Sequence, residues 1–250
     1  MGNYPLSLLL GLTATIVLWA PLPAQAEFIL YQETGGKESI RFDGDGRAVL
    51  ESIGLSLDLG SIENTASPAP GFSFAFGLLP PSSDPSVRGS TFSFLYDDET
   101  DVYIPLSGTE ELFGSVFFDV DTTKLSLEPQ LEIGDFSIAF DANFDFFVTD
   151  TANTGLRLFD LDSSGSPSVD LTTQTSNLED IELRISQEFS DFLVAAGASR
   201  PVAGLKIFEA RGDRTFAEPS STEVPEPGSA LALLTAASAA FGVGKRRRFA

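Results

Sequence analysis

The sequence predicts an all-β domain, a single antiparallel β-sandwich of jelly-roll-like type, flanked by two segments outside the fold. Three observations carry this reading. Apolar and polar residues alternate with period two through much of residues 27–216, the pattern of strands with one buried face. Gly, Pro, Asp and Ser clusters separate the alternating runs, as the turns between short antiparallel strands require. The charge is also unevenly placed: residues 1–26 carry no charged side chain, whereas four of the 15 basic residues stand together at 245–248.

Taken in order, the alternating runs begin with Phe72-Ser73-Phe74-Ala75-Phe76 and Phe92-Ser93-Phe94. Leu125–Leu127, Leu131–Ile133, Phe136–Asp141 and Phe144–Phe146 follow, then Leu156–Leu158, Ile181–Ile185 and Leu205–Phe208. Turn clusters lie at Asp43–Gly46, Pro80–Pro85, Asn153–Gly155 and Ser163–Pro167. Only Ser190–Ala198 lacks strand alternation, and it reads as one or two turns of helix or a poorly patterned strand. Twenty of the 22 Phe fall in this domain. Phe prefers full burial, so this aromatic content reads as core and argues against a sugar-stacking surface, which favours Trp and Tyr.

Composition excludes several chemistries. The chain has no His and no Cys, so it holds no Ser-His-Asp or Cys-His nucleophile, no thiolate or imidazole zinc site, no disulfide and no lipoprotein cysteine. A net charge of −21 speaks against nucleic acid, whose phosphates demand cations. Residues 27–223 carry 35 acidic and 11 basic side chains, a net −24. Their 197 residues suffice for a core without cross-links.

The two ends read as addresses. Leu6–Ala20 is an apolar run of 15 residues, followed by Pro21-Leu22-Pro23 and Ala24-Gln25-Ala26. That order is a secretory signal peptide cleaved after Ala26, with Ala24 and Ala26 as the small-x-small exit. At the other end, Ala217–Glu223 is a Pro/Ser/Glu spacer of disordered composition. Val224-Pro225-Glu226-Pro227 then precedes an apolar run from Gly228 to Gly244, and Lys245-Arg246-Arg247-Arg248 closes it. Seventeen residues make a helix of about 26 Å, enough for a thin bilayer, and the basic block holds its end on the cytoplasmic side.

This three-part tail resembles the PEP-CTERM sorting signal, its motif matched by Pro225, Glu226 and Pro227. The resemblance implies a bacterial protein that is exported, membrane-anchored before processing, and handled by an exosortase. It further implies a place in the cell envelope or the exopolysaccharide matrix. Ile133–Asp141, Phe146–Thr151 and Leu158–Leu161 look like a segment recurring in exported proteins of that kind, and this implies no chemistry.

Within the domain the carboxylates are the available site chemistry, and they suit a hard cation such as calcium. The candidates are Asp43 and Asp45 in a Gly-rich loop, Asp97, Asp98 and Asp101 after the Phe92–Tyr96 strand, and Asp119 with Asp121 at a strand end. Asp43–Gly46 departs from the EF-hand pattern, because Arg47 and Gly54 stand at the fifth and twelfth loop positions. Arg211-Gly212-Asp213 reads as a chance tripeptide. No catalytic residue is singled out. The expectation is a non-enzymatic envelope or matrix protein with exosortase, the export machinery and exopolysaccharide as partners. A calcium-assisted polysaccharide-binding module is the alternative, and a carboxylate glycosidase a third reading.

Overall fold

The computed structural model describes residues 28–219. The expectations for Ala24 and Ala26, for Val224–Pro227 and for Lys245–Arg248 therefore fall outside the described residues. The strands are β1 (Ile29–Phe42), β2 (Leu55–Ser56), β3 (Phe74–Leu78), β4 (Ser93–Asp97), β5 (Val102–Ser107), β6 (Glu110–Phe113) and β7 (Ser115–Val120). They continue as β8 (Gln130–Gly134), β9 (Ser137–Phe140), β10 (Phe146–Thr149), β11 (Arg157–Ser163), β12 (Ser168–Asp170), β13 (Thr175–Ile185) and β14 (Lys206–Ala217). Two helices interrupt them, α1 (Gly44–Ile53) and α2 (Gln187–Ala196). The last strand thus runs one residue into the segment expected to be spacer.

The domain is antiparallel and mostly β, as alternation implied, but it is not a sandwich. Eight strands run β1-β3-β6-β9-β10-β11-β13-β14 and return to β1, every neighbour antiparallel. The closing strand is β14, which pairs with β1 on one side and β13 on the other. Closure removes the free edges that a sandwich would leave. It needs curvature, and bulges supply it between Glu33 and Gly35 in β1, between Leu178 and Ile181 in β13, and at Leu158 of β11, opposite Val148 and Thr149. The β4–β5 hairpin extends the wall beside the first residues of β1, and β12 lies outside β13. A separate three-stranded sheet has the order β2-β7-β8.

One end of the barrel is filled. Phe74, Phe76, Phe136, Phe159 and Phe208 belong to a cluster that also takes in Leu50 and Ile53 of α1, Phe189 and Leu193 of α2, and Phe118 of β7. Ten Phe side chains are buried across the domain; each contributes about 2–3 kcal/mol by leaving water. Phe is therefore mainly core, although Phe113 is 38% exposed.

Both helices carry local signals. Ser186 caps α2 by accepting from the Phe189 amide, and left-handed Gly197 ends it. Of the two alternatives open for Ser190–Ala198, helix is the one adopted. The Asp43–Gly46 cluster, expected as a turn, instead starts α1. Asp43 accepts from the Gly46 amide as N-cap, and Gly46, Leu50 and Ile53 form the buried face.

Gly46 lies against β14, where an added Cβ would meet the Lys206 carbonyl oxygen at 2.0 Å; at Gly44 nothing lies within 4 Å. Ala improves helix propensity by about 1 kcal/mol over Gly, so propensity alone favours both substitutions. Steric overlap reverses the sign at one. Urea unfolding is expected to show G46A destabilised by about 1–3 kcal/mol and G44A neutral or slightly stabilised. Equal effects would contradict this packing.

Candidate functional site: a charged cavity in the barrel

The other end of the barrel is not filled. A cavity of about 550 Å³ opens there, within the size range of small-molecule sites. Its floor is a buried charge cluster. Arg214 of β14 is 8% exposed, and Glu33 and Glu38 of β1 and Glu110 of β6 surround it at 3%, 4% and 8%. The Arg214 Nε donates to Glu110 Oε2 at 2.8 Å, and Nη2 donates to Glu38 Oε2 at 2.6 Å and also to Glu110. Nη1 donates to the Lys37 carbonyl. Nε stands 3.7 Å from Glu33 Oε2, which is an ion pair but beyond hydrogen-bond range. Among the described residues no hydrogen-bond donor reaches Glu33 Oε2 or Glu38 Oε1.

The backbone is shaped for this cluster. Glu33 and Glu38 are five residues apart, so in an unbroken strand they would face opposite sides. The bulge between Glu33 and Gly35 shifts the parity, and both carboxylates turn inward. Arg214 pairs across the ladder with Gly36, and Glu38 with Gly212. A Cβ on Gly36 would lie 2.2 Å from the Asp213 carbonyl oxygen and 3.2 Å from Arg214 Cδ. One on Gly212 would lie 3.1 Å from Glu38 Oε2 and 3.2 Å from Arg214 Nη1. Two glycines therefore leave room for one guanidinium.

Burial and the neighbouring Glu110 carboxylate push Glu33 well above the usual carboxylate range, against the pull of Arg214. Burial does the same to Glu38, raising it to about 7; Arg214 opposes the shift while Glu110 and Asp213 add to it. Burial works against the Arg214 charge too, but Glu110, Glu38 and Glu33 outweigh it and keep the guanidinium protonated. Tyr103 of β5 lines the same space. Burial, then Glu33 and Glu110, push its hydroxyl well above its ordinary value.

Above the floor the wall is aromatic: Phe92, Phe146 and Phe144 line the cavity. Phe144 sits at the β9–β10 turn with φ of 63°, a costly conformation for a bulky residue. Asp141 holds that turn by accepting from the Asn143 and Asp145 amides at 2.8 and 3.2 Å, which lowers its own carboxyl below the usual range. Phe144 stacks on Phe140, with centroids 5.7 Å apart.

The carboxylates singled out in the sequence lie elsewhere. Asp43 caps α1 and pairs with Lys206 Nζ at 3.1 Å; Asp45 is exposed in the first turn of that helix. Asp97 is buried and accepts from the Glu99 amide and the Thr100 hydroxyl, Asp101 accepts from the Tyr96 hydroxyl at 2.8 Å, and Asp98 is exposed. Strand β7 stops at Val120, so Asp119 and Asp121 do not share a strand face. Asp119 is exposed, and Asp121 accepts from the Thr123 amide and hydroxyl. Among the described residues no group of three or more His, Cys, Asp or Glu is placed to hold a metal ion. Arg211 and Asp213 pair with each other at 2.9 Å, and the glycine between them makes room for Arg214.

The cluster links protonation to stability. A carboxyl whose folded pKa is raised stabilises the fold fully below its unfolded pKa, and that contribution disappears as pH rises through the folded value. For Glu38 the window runs from about 4.5 to about 7 and corresponds to roughly 3 kcal/mol. Urea midpoints measured from pH 5 to 8 are expected to fall with rising pH, and to fall less in E38Q. An equal fall in both proteins would contradict the assignment.

The fold is similar to the crystal structure of the C-terminal domain of HtaA from Corynebacterium glutamicum, at 15% identity and a TM-score of 0.41, covering 75% of this chain and 99% of that one. No protein-family model matches the chain, and no curated protein matches it.

Proposed function

We propose that this chain is an exported protein of the bacterial cell envelope or extracellular matrix, sorted through Pro225-Glu226-Pro227, and that its barrel binds a small molecule without transforming it. The observation that carries the binding half is the cavity of about 550 Å³, lined by Glu33 and Glu38, each of which keeps one buried carboxylate oxygen without a donor among the described residues. An eight-stranded barrel is just wide enough for its side chains to fill it or for one small ligand. Here aromatic residues fill one end and leave the other open. The address rests on the two terminal signals.

One observation favours a second reading. Glu33, Glu38 and Glu110 meet in a single cavity, and two carboxylates suffice for a glycosidase, the raised one acting as acid. Binding is preferred because Glu38 and Glu110 share a single guanidinium, which ties both to the floor.

Two measurements test the proposal. With Pro225, Glu226 and Pro227 replaced by Ala in the native host, unprocessed chain is expected to accumulate in the membrane fraction; unchanged processing and surface delivery would sink the sorting claim. Native mass spectrometry of the protein released from its own envelope is expected to show a bound small molecule, and a screen of chromogenic glycosides no turnover. Turnover lost in E38Q would turn the reading into the glycosidase.

A further inference from the structure

We propose that the barrel cavity is a site for an organic cation, a primary ammonium or amidinium group on an aromatic or apolar body. This deepens the binding reading above and rests on it. Charge is the first argument. The ionisable groups lining the cavity include Glu33, Glu38, Glu110, Asp145 and Asp162 against one cation, Arg214. The three floor glutamates exceed the guanidinium by two formal negative charges, and nothing else at the floor balances them.

The second argument is hydrogen-bonding type. Glu33 and Glu38 line the cavity, and Glu33 Oε2 and Glu38 Oε1 are buried acceptors without a hydrogen-bond partner among the described residues. An ammonium or amidinium is donor-only. It satisfies both oxygens and replaces the protons that buried glutamates would otherwise have to take up. An anion would meet the same oxygens with repulsion. The wall adds to this: Phe92, Phe144 and Phe146 line the same cavity as the carboxylates. Aromatic faces attract cations and receive an apolar body equally well. Asp145 and Asp162, both exposed, give the approach the same sign and steer cations inward.

Protons and the cation compete for one place. The titratable groups lining it are Glu33 and Glu38 from β1, Tyr103 from β5, Glu110 from β6, Asp145 before β10, Asp162 from β11 and Arg214 from β14. Glu38, raised to about 7, gives up its proton between pH 5.5 and 8, so binding strengthens as pH rises.

The test uses the full chain in a neutral detergent. Its probes are arylalkylammonium ions of one to three rings, each beside its alcohol and carboxylate isosteres, followed by calorimetry and thermal shift at pH 5.5 and 8. Expected is at least tenfold preference for an ammonium over both isosteres at pH 8, falling about tenfold at pH 5.5. Separate E33Q and F146A variants are each expected to weaken binding by a similar factor. The wild-type comparison stands even if a variant fails to fold. Equal or tighter binding of an alcohol or carboxylate would overturn the cation assignment and leave the binding barrel standing. No binding by any probe would overturn the assignment too, and a bare protein mass from the envelope would then remove the barrel reading as well.

Discussion

A guanidinium buried among three glutamates constrains how this barrel is built. Arg214 needs space in the wall, which Gly36 and Gly212 provide, and it needs acceptors from two other strands, which Glu38 and Glu110 provide. Removing one partner of such a buried set typically costs about 3–5 kcal/mol, because a charge is left uncompensated. The cluster also ties β1, β6 and β14 together across the lumen, including the β1–β14 seam that closes the sheet. Its net formal charge is negative, so it favours either protons or a bound cation. This excess separates the cluster from an ordinary buried salt bridge.

The two ends of the barrel divide the work. Aromatic packing at the filled end, backed by α1, α2 and the small sheet, supplies apolar burial. The open end spends part of that stability on buried carboxylates and on Phe144 held in a left-handed turn. Strain and unpaired polar groups persist where the surrounding structure over-determines them, and Phe144 and two of the unpartnered oxygens belong to residues around one cavity.

Much of the fold was legible in the sequence. The alternation in Phe72–Phe76 and Phe136–Asp141 reports strands, and the Phe content reports a core. Closure was not legible, because period two says which face is buried and not which strand β14 joins. Helix α1 was hidden because Asp43–Gly46 serves as readily for a turn as for a cap. The site itself left a partial trace. Arg214 shares its parity with Ala210 and Phe216, and Glu38 with Ile40, which places charged side chains on the apolar face. That conflict was a signal. Glu33 gave no such trace, because its inward turn depends on a bulge that alternation cannot foresee.

At the barrel floor burial and neighbouring carboxylates raise Glu33 and Glu38 above the usual carboxylate range. Carboxyl ¹³C titration of glutamate-labelled protein reads this directly. Expected are a glutamate titrating near pH 7 that vanishes in E38Q, and a second carboxyl well above the usual range that vanishes in E33Q. Glutamates that all titrate below pH 5 would contradict it.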